Sequence, residues 1–331
     1  MRFTIPLLLG LALLGACSAG GSSGGSSGGG RTLIRFATDW RAEAEHGGFY
    51  EALATGEYAK RGLDVKIIQG GPTVNVPQLV ASGAVELGDG SNSFIVMNLA
   101  NEHAPVKAVA AFMQKDPQVL LAHPDAGIGS LAEMRGHPIM ISDASRTAFW
   151  PWMRAKYGFS DDQVRSYTFN NNQFILNKQS VQEGYVTSEP YTIAKQGGFT
   201  PRVFLLADQG YPSYAAMVLA PDALIAKNPA AVRAFVEASA VGWREYLHGD
   251  PRPADALILK ENPDMTEDVL AQARDKMRAY GLVDGGDAAT LGVGAMTDQH
   301  WADFFKIASD KGQANYKDAF SLQFLPNPPV K

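Results

Sequence analysis

Five side chains in two distant stretches of the sequence could together bind a flat molecule that forms hydrogen bonds. Trp40 and His46 lie in a loop after a predicted strand, and Tyr185, Glu189 and Tyr191 lie in or just after another predicted strand. Aromatic faces stack on flat ligands, and a carboxylate accepts hydrogen bonds from an amine. Period-two alternation would place Tyr185 and Glu189 on one face of that strand. The alternatives are a core tryptophan, a surface histidine at a helix start, and a glutamate that only stabilises a helix N-terminus.

Asn75, Ser91 and Asn92 occupy turns between predicted strands and helices. In a parallel sheet these turns lie at the same edge as the Trp40 loop, where ligands bind in open α/β folds. Free N–H groups at the following helix starts could hold a polar or anionic substituent. Capping explains Ser91 and Asn92 equally well, so both roles remain open for them.

No catalytic or metal-binding motif accompanies these residues. Neither a G-x-S-x-G turn, nor a G-x-G-x-x-G loop, nor a G-x-x-x-x-G-K-[ST] loop occurs where a strand meets a helix. The six histidines are scattered without metal-ligand spacing, and Cys17 is the single cysteine. We therefore predict a protein that is not an enzyme and that uses no cofactor and no metal.

Composition and charge exclude some partners. The chain has 331 residues, of which 46% are hydrophobic and 19% are charged, as in ordinary globular proteins. This length favours about two domains. The net charge of -5 argues against a nucleic-acid partner, because such proteins usually carry a basic patch.

The first 30 residues predict export and membrane anchoring. Residues 1–16 combine a positively charged start with a short apolar run, which is typical of a signal peptide. The run ends in LLGAC, which resembles the lipobox of bacterial lipoproteins and implies lipidation of Cys17. Residues 17–30 would then be the lipidated cysteine and a flexible Gly/Ser tether. The alternatives are an ordinary signal peptide and a tether that is a cloning linker.

The remaining chain alternates predicted strands and helices and then becomes mostly helical. Two strands without an intervening helix, near residues 106–114 and 118–124, mark a crossing into a second lobe. We predict an α/β fold with residues 31–114 and 218–331 in lobe 1, residues 115–217 in lobe 2, a hinged cleft, and a helical C-terminal tail. Within lobe 2 the pattern predicts a strand at 166–170, a helix at 173–183 and a strand at 184–189.

Three segments carry a resemblance to a known family. They are W-x5-HGGFY-x-A-x3-GEYAKRGLDV, GGPTVNVPQLVASGAVELG and GYVTSEPY. Together they resemble the periplasmic substrate-binding proteins of ABC importers, and within them the thiamine-pyrimidine-precursor-binding, thiamine-pyrimidine synthase-like family. This resemblance implies a type II periplasmic-binding-protein fold, and it covers most of the chain after the tether.

The resemblance also implies a ligand, partners and a location. The ligand would be an aminopyrimidine, and the partner an ABC permease in the inner membrane. The protein would be a periplasmic monomer held at the membrane by its lipid. Riboflavin or another flavin, an alkylsulfonate, and a nitrate-like anion are alternative ligands. The related synthases carry a cysteine-rich iron site, which this chain lacks after Cys17, so a pyrimidine-forming enzyme is the weaker alternative.

Overall fold

The computed structural model describes residues 30–71, 74–308 and 316–331. The predicted signal peptide, the predicted lipidation site at Cys17 and the tether up to residue 29 lie outside the described residues. Within the described ranges, no helix is long and apolar enough to cross a membrane.

Strands rich in buried apolar residues form two sheets. In the described residues they are β1 (Thr32–Ala37), β2 (Leu63–Ile68), β3 (Leu87–Gly90), β4 (Val106–Met113), β5 (Gln118–Ala122), β6 (Ile139–Ile141), β7 (Val164–Ser166), β8 (Val181–Tyr185), β9 (Arg202–Leu205) and β10 (Ala215–Pro221).

Helices connect these strands and make up most of the chain after β10. They are α1 (Gly47–Ala54), α2 (Glu57–Lys60), α3 (Val76–Ala81), α4 (Ser93–Asn101), α5 (Asp143–Arg146), α6 (Phe149–Tyr157), α7 (Asn172–Leu176), α8 (Glu189–Gly197), α9 (Asp222–Lys227), α10 (Pro229–His248), α11 (Arg252–Glu261), α12 (Glu267–Tyr280), α13 (Ala288–Leu291) and α14 (Asp298–Ala308).

The two sheets have the same strand pattern. The first has the order β2-β1-β3-β10-β4, with β1 parallel to β2 and β3 and with β10 antiparallel to its neighbours. The second has the order β7-β6-β8-β5-β9, with β6 parallel to β7 and β8 and with β5 antiparallel to its neighbours. The chain therefore crosses to the second sheet after β4 and returns before β10. The predicted α/β class with two sheets and a helical C-terminal region is confirmed.

A close helix crossing supports the first sheet. Helix α1 packs against α10, and Phe49 on α1 contacts both Phe36 of β1 and Trp243 of α10, at ring-centroid distances of 4.6 and 5.8 Å. A Cβ atom at Gly48 would lie 2.1 Å from Trp243 Cγ, so only glycine allows this approach. Because α1 starts directly after His46, this crossing fixes the position of the His46 loop.

The predicted helix at 173–183 is wrong. Helix α7 ends at Leu176, and strand β8 starts at Val181. A turn stops the helix, because the Asn177 side chain accepts a hydrogen bond from the Gln179 N–H and the Asn177 carbonyl accepts one from the Ser180 hydroxyl. The residues beyond this turn pair with β5 and β6, and this pairing outweighs their helical spacing.

Two predicted strands end earlier in the structure than in the prediction. Of the strand predicted at 184–189, only residues 184 and 185 are in a strand, where they end β8. Glu189 is the first residue of α8. The period-two argument for Tyr185 and Glu189 is therefore wrong. The strand predicted at 166–170 is β7, which ends at Ser166, and Phe169 has a positive φ of 58° that interrupts extended backbone.

Candidate ligand-binding site

A cavity of about 1050 Å³ is lined by residues of both sheets and of the loops that follow their strands. Seven of the predicted site residues line this cavity: Trp40, His46, Asn75, Ser91, Asn92, Tyr185 and Glu189. Its volume is at the upper end of the range of about 300–1000 Å³ that is typical of small-molecule sites. The structure thus brings together residues that are distant in the sequence.

Tyr191 is not among the residues that line the cavity. Its hydroxyl donates a hydrogen bond to Asp268 of α12, which also forms an ion pair with Lys195. The prediction that Tyr191 contacts the ligand is therefore not supported by its position. Its place on the first turn of α8 explains this, because the chain turns away from the cavity after Glu189.

An aromatic pair borders the cavity. The ring centroids of Trp40 and Phe169 lie 4.5 Å apart at an interplanar angle of 44°, and Phe169 also contacts Tyr167. Phe169 is 48% exposed although it is large and apolar, and it has the positive φ noted above. A bulky residue rarely adopts this backbone conformation, and such strain is concentrated at functional sites. Sequence reasoning did not identify Phe169, because a left-handed phenylalanine leaves no local pattern.

Glu189 contributes to the architecture of the second wall. Its Oε2 atom accepts a hydrogen bond of 2.7 Å from the Tyr185 N–H, and its Oε1 atom accepts one of 3.4 Å from the Tyr167 hydroxyl. Its side chain also fills the space that a Cβ atom at Gly184 would need. The carboxylate therefore has protein partners at both oxygens and holds the Tyr185 backbone beside the cavity.

The polar turn residues act mainly as helix caps. The Asn75 side chain accepts a hydrogen bond of 3.0 Å from the Gln78 N–H, and the Asn92 side chain accepts bonds from the first residues of α4. Ser91 instead forms a side-chain hydrogen bond to Asp39. Capping thus accounts for Asn75 and Asn92, although both still line the cavity.

The cavity is strongly acidic, which the sequence did not indicate. Eight carboxylic side chains line it, and no lysine or arginine does so in the described part of the chain. These side chains are Asp39, Glu43, Glu45, Asp89, Asp116, Asp143, Glu183 and Glu189. Where its carboxyls are ionised, a surface of this kind repels anions and favours ligands that are cationic or rich in hydrogen-bond donors.

Burial alters the protonation of several of these carboxyls. It raises the pKa values of Asp116 and Glu189 to about 7, although hydrogen bonds from the Gln118 and Tyr185 N–H groups oppose the change. The pKa of Glu183 is raised for the same reason. The pKa of Asp39 is below its ordinary value. Burial acts to raise it, but hydrogen bonding and charge interaction with His46 lower it by more. A bound cation would favour the ionised forms of the whole group.

Two of the acidic side chains have buried oxygens without partners. Asp89 is 2% exposed and Glu183 is 4% exposed, and within the described part of the chain neither Asp89 Oδ1 nor Glu183 Oε2 has a hydrogen-bond partner. Both residues line the cavity. Because buried polar atoms are normally paired, these two oxygens are natural contacts for a ligand. They lie within strands β3 and β8, where sequence patterns give no reason to expect a carboxylate facing a cleft.

The two sheets have matching topology, the chain passes between them twice, and they border one ligand-sized cavity. This arrangement defines a substrate-binding protein of the periplasmic-binding-protein fold. The model of the family described as NMT1/THI5 like matches residues 43–254, which is more than half of the sequence. The chain belongs to this family.

Relatives and a solved structure agree with this class. The chain is 26% identical to the riboflavin-binding protein RibY of Chloroflexus aurantiacus, over 88% of this chain and 86% of that protein. It is 24% identical to the formylaminopyrimidine-binding protein of Halalkalibacterium halodurans, over 73% of this chain and 71% of that protein. A structure of the periplasmic sulfonate-binding protein SsuA from Methylobacillus flagellatus KT matches 89% of this chain and 93% of that chain, with 13% identity and a TM-score of 0.59.

Proposed function

We propose that this protein captures a small heteroaromatic ligand that is rich in hydrogen-bond donors, most simply an aminopyrimidine precursor of thiamine. The observation that carries this proposal is the acidic cavity, which no lysine or arginine of the described residues lines. An aminopyrimidine offers amine donors for carboxylate oxygens and a flat ring for Trp40. The formylaminopyrimidine-binding relative supports the same ligand class.

A flavin is the second candidate. The cavity volume of about 1050 Å³ exceeds what a single pyrimidine ring needs, and one relative is named as a riboflavin-binding protein. Alkylsulfonate and nitrate-like anions fit poorly, because such ligands call for cationic side chains or several free N–H donors. Eight carboxyls would instead oppose them.

The same proposal covers the partners and the location. We infer delivery of the ligand to an ABC permease, a periplasmic monomer anchored through lipidated Cys17, and binding without chemical conversion. The two relatives are both named as binding proteins, which supports the last point. Residues 31–114 with 218–331, and residues 115–217, would be the two lobes that close on the ligand.

A thermal-shift panel tests the proposed function. Purified protein is mixed with aminopyrimidines, thiamine, riboflavin, an alkanesulfonate or nitrate, and hits are measured by calorimetry. A ligand at about 100 times its Kd should stabilise the protein by about 2.7 kcal/mol. We expect an aminopyrimidine to raise the melting temperature and the anions to leave it unchanged. Stabilisation by the sulfonate alone would contradict the proposal.

The unliganded protein should lose stability as the pH rises from about 4 to about 7. Asp116 and Glu189 have pKa values raised to about 7 in the folded state, so the folded protein binds these protons more tightly than the unfolded chain. Their contribution is therefore favourable at low pH and is lost as the pH passes through the folded-state pKa. We expect a lower free energy of unfolding at pH 8 than at pH 5.5, by about 2 kcal/mol for each of the two groups.

Chemical denaturation at the two pH values measures this difference. The variant Asp116→Asn keeps an acceptor for the Gln118 N–H but cannot ionise, so it should show a smaller pH dependence. A bound cationic ligand should also reduce the difference. An Asp116→Asn variant with the wild-type pH dependence would refute this role for Asp116.

A further inference from the structure

Asp39, His46 and Asp89 bring three ligand-type atoms to one point at the edge of the cavity. His46 Nε2 lies 2.8 Å from Asp39 Oδ1 and 3.5 Å from Asp89 Oδ2. All three atoms lie within 4.8 Å of one another. Two metal bonds of about 2.1 Å at angles of about 90–110° separate their donor atoms by about 3.0–3.4 Å. The two measured spacings lie close to this range.

Regular elements hold the three residues in place. Asp89 lies in β3, and Asp39 follows β1, which is the parallel neighbour of β3 with Ala37 opposite Gly88. His46 ends a short 3-10 helix and is fixed by the α1–α10 crossing that follows it. A cluster built on two paired strands and a packed helix start is pre-organised, so binding needs little rearrangement.

In the described residues, no lysine or arginine forms an ion pair with Asp39 or Asp89 of this cluster. Asp89 is 2% exposed, His46 is 1% exposed, and Asp89 Oδ1 has no hydrogen-bond partner among residues 30–71, 74–308 and 316–331. Among the described residues, no lysine or arginine lines the cavity. The buried carboxylate of Asp89, beside the partly exposed Asp39, is costly to ionise unless a cation compensates it. One divalent ion bound by Asp39 Oδ1, His46 Nε2 and Asp89 Oδ2 would neutralise both carboxylates.

We propose that Asp39, His46 and Asp89 form a binding site for a divalent transition metal such as Zn²⁺. Imidazole with two carboxylates is a donor set that suits zinc and its first-row neighbours. All three residues also line the cavity, so a heteroatom of the organic ligand could occupy a further coordination position. No spacing pattern in the sequence indicates this site, because its ligands come from a loop, a helix start and a separate strand.

Metal titration without any organic ligand tests this site independently of the proposed function. Untagged protein is treated with a chelator, dialysed, and titrated with Zn²⁺ by calorimetry and with Co²⁺ by visible absorption. We expect one equivalent per chain and a Co²⁺ spectrum that indicates nitrogen and oxygen ligation. Asp89→Asn and His46→Gln should each weaken binding at least tenfold.

The matched control is Asp116→Asn, which removes a buried carboxyl of the same cavity outside the cluster. It should bind Zn²⁺ within about twofold of the wild type. Asp39→Asn replaces Asp89→Asn if the latter does not fold, as judged by circular dichroism. No stoichiometric uptake, or equal losses in Asp89→Asn and Asp116→Asn, would overturn the metal site. The metal site would also be overturned if the wild type takes up no metal and Asp89→Asn changes only the affinity for the organic ligand.

Discussion

Replacing Trp40 with alanine is expected to weaken ligand affinity by about 30- to 100-fold. The indole lines the cavity and, in the part of the chain that the structure describes, contacts one other ring, that of Phe169, so much of its face is available to a ligand. Stacking together with burial of an aromatic face is worth about 2–3 kcal/mol, and each 1.4 kcal/mol corresponds to about a tenfold change in Kd. Calorimetry with the best ligand from the thermal-shift panel measures the change.

Two matched variants separate stacking from general damage. Trp40→Phe keeps an aromatic face and should retain affinity within about fivefold of the wild type. Trp150→Phe removes another indole, whose N–H donates to Asp161 and which does not line the cavity. This variant should bind ligand normally even if it is less stable. Unchanged affinity in Trp40→Ala would show that the aromatic border does not contact the ligand.

The first half of the site could be predicted because its local structure follows its local sequence. Strand β1 is a largely apolar run in which Ile34, Phe36 and Ala37 are buried, and a helix and a second strand follow it at the expected spacing. The loop after β1 therefore had to lie at the carboxyl edge of the sheet. Trp40 and His46 were predicted from that position and from their side-chain chemistry, and both line the cavity.

The second half of the site was predicted less well because long-range pairing decides its structure. Residues 181–183 have helical spacing but pair with two strands, and this placed Glu183 in the cavity instead of on a helix. Glu189 lines the cavity as expected, yet the Tyr185 N–H and the Tyr167 hydroxyl already engage its carboxylate. A sequence cannot reveal which buried carboxylate is left without partners, because that depends on the packing of separate elements.

The α1–α10 crossing links the stability of the first sheet to the geometry of the site. Trp243 is fully buried and contacts Phe49 and Tyr246, so its ring has little freedom to move. A methyl group at position 48 would overlap this ring. Relief requires α1 to shift, and α1 begins at the residue after His46. Damage to the crossing should therefore reach the cluster formed by His46, Asp39 and Asp89.

Gly48→Ala is expected to lower the free energy of unfolding by about 2–3 kcal/mol, and the melting temperature by about 5–10 °C. Alanine favours a helix over glycine by about 1 kcal/mol, but a Cβ atom 2.1 Å from Trp243 Cγ costs more than this gain. Chemical denaturation measures the loss. The control is Gly129→Ala, where the new Cβ would meet only the flexible Glu133 carboxylate at 3.3 Å, and its stability should change little.

A second substitution shows whether the overlap with Trp243 is the cause. Trp243→Leu alone should destabilise the protein by leaving a cavity in the core. In the double variant the smaller side chain leaves room for the methyl group, so the combined loss should be at least 1 kcal/mol less than the sum of the single losses. Additive losses would contradict the steric explanation. In that case the cost of Gly48→Ala would arise elsewhere in the helix crossing, for example at the neighbouring contact between Gly47 and Tyr246.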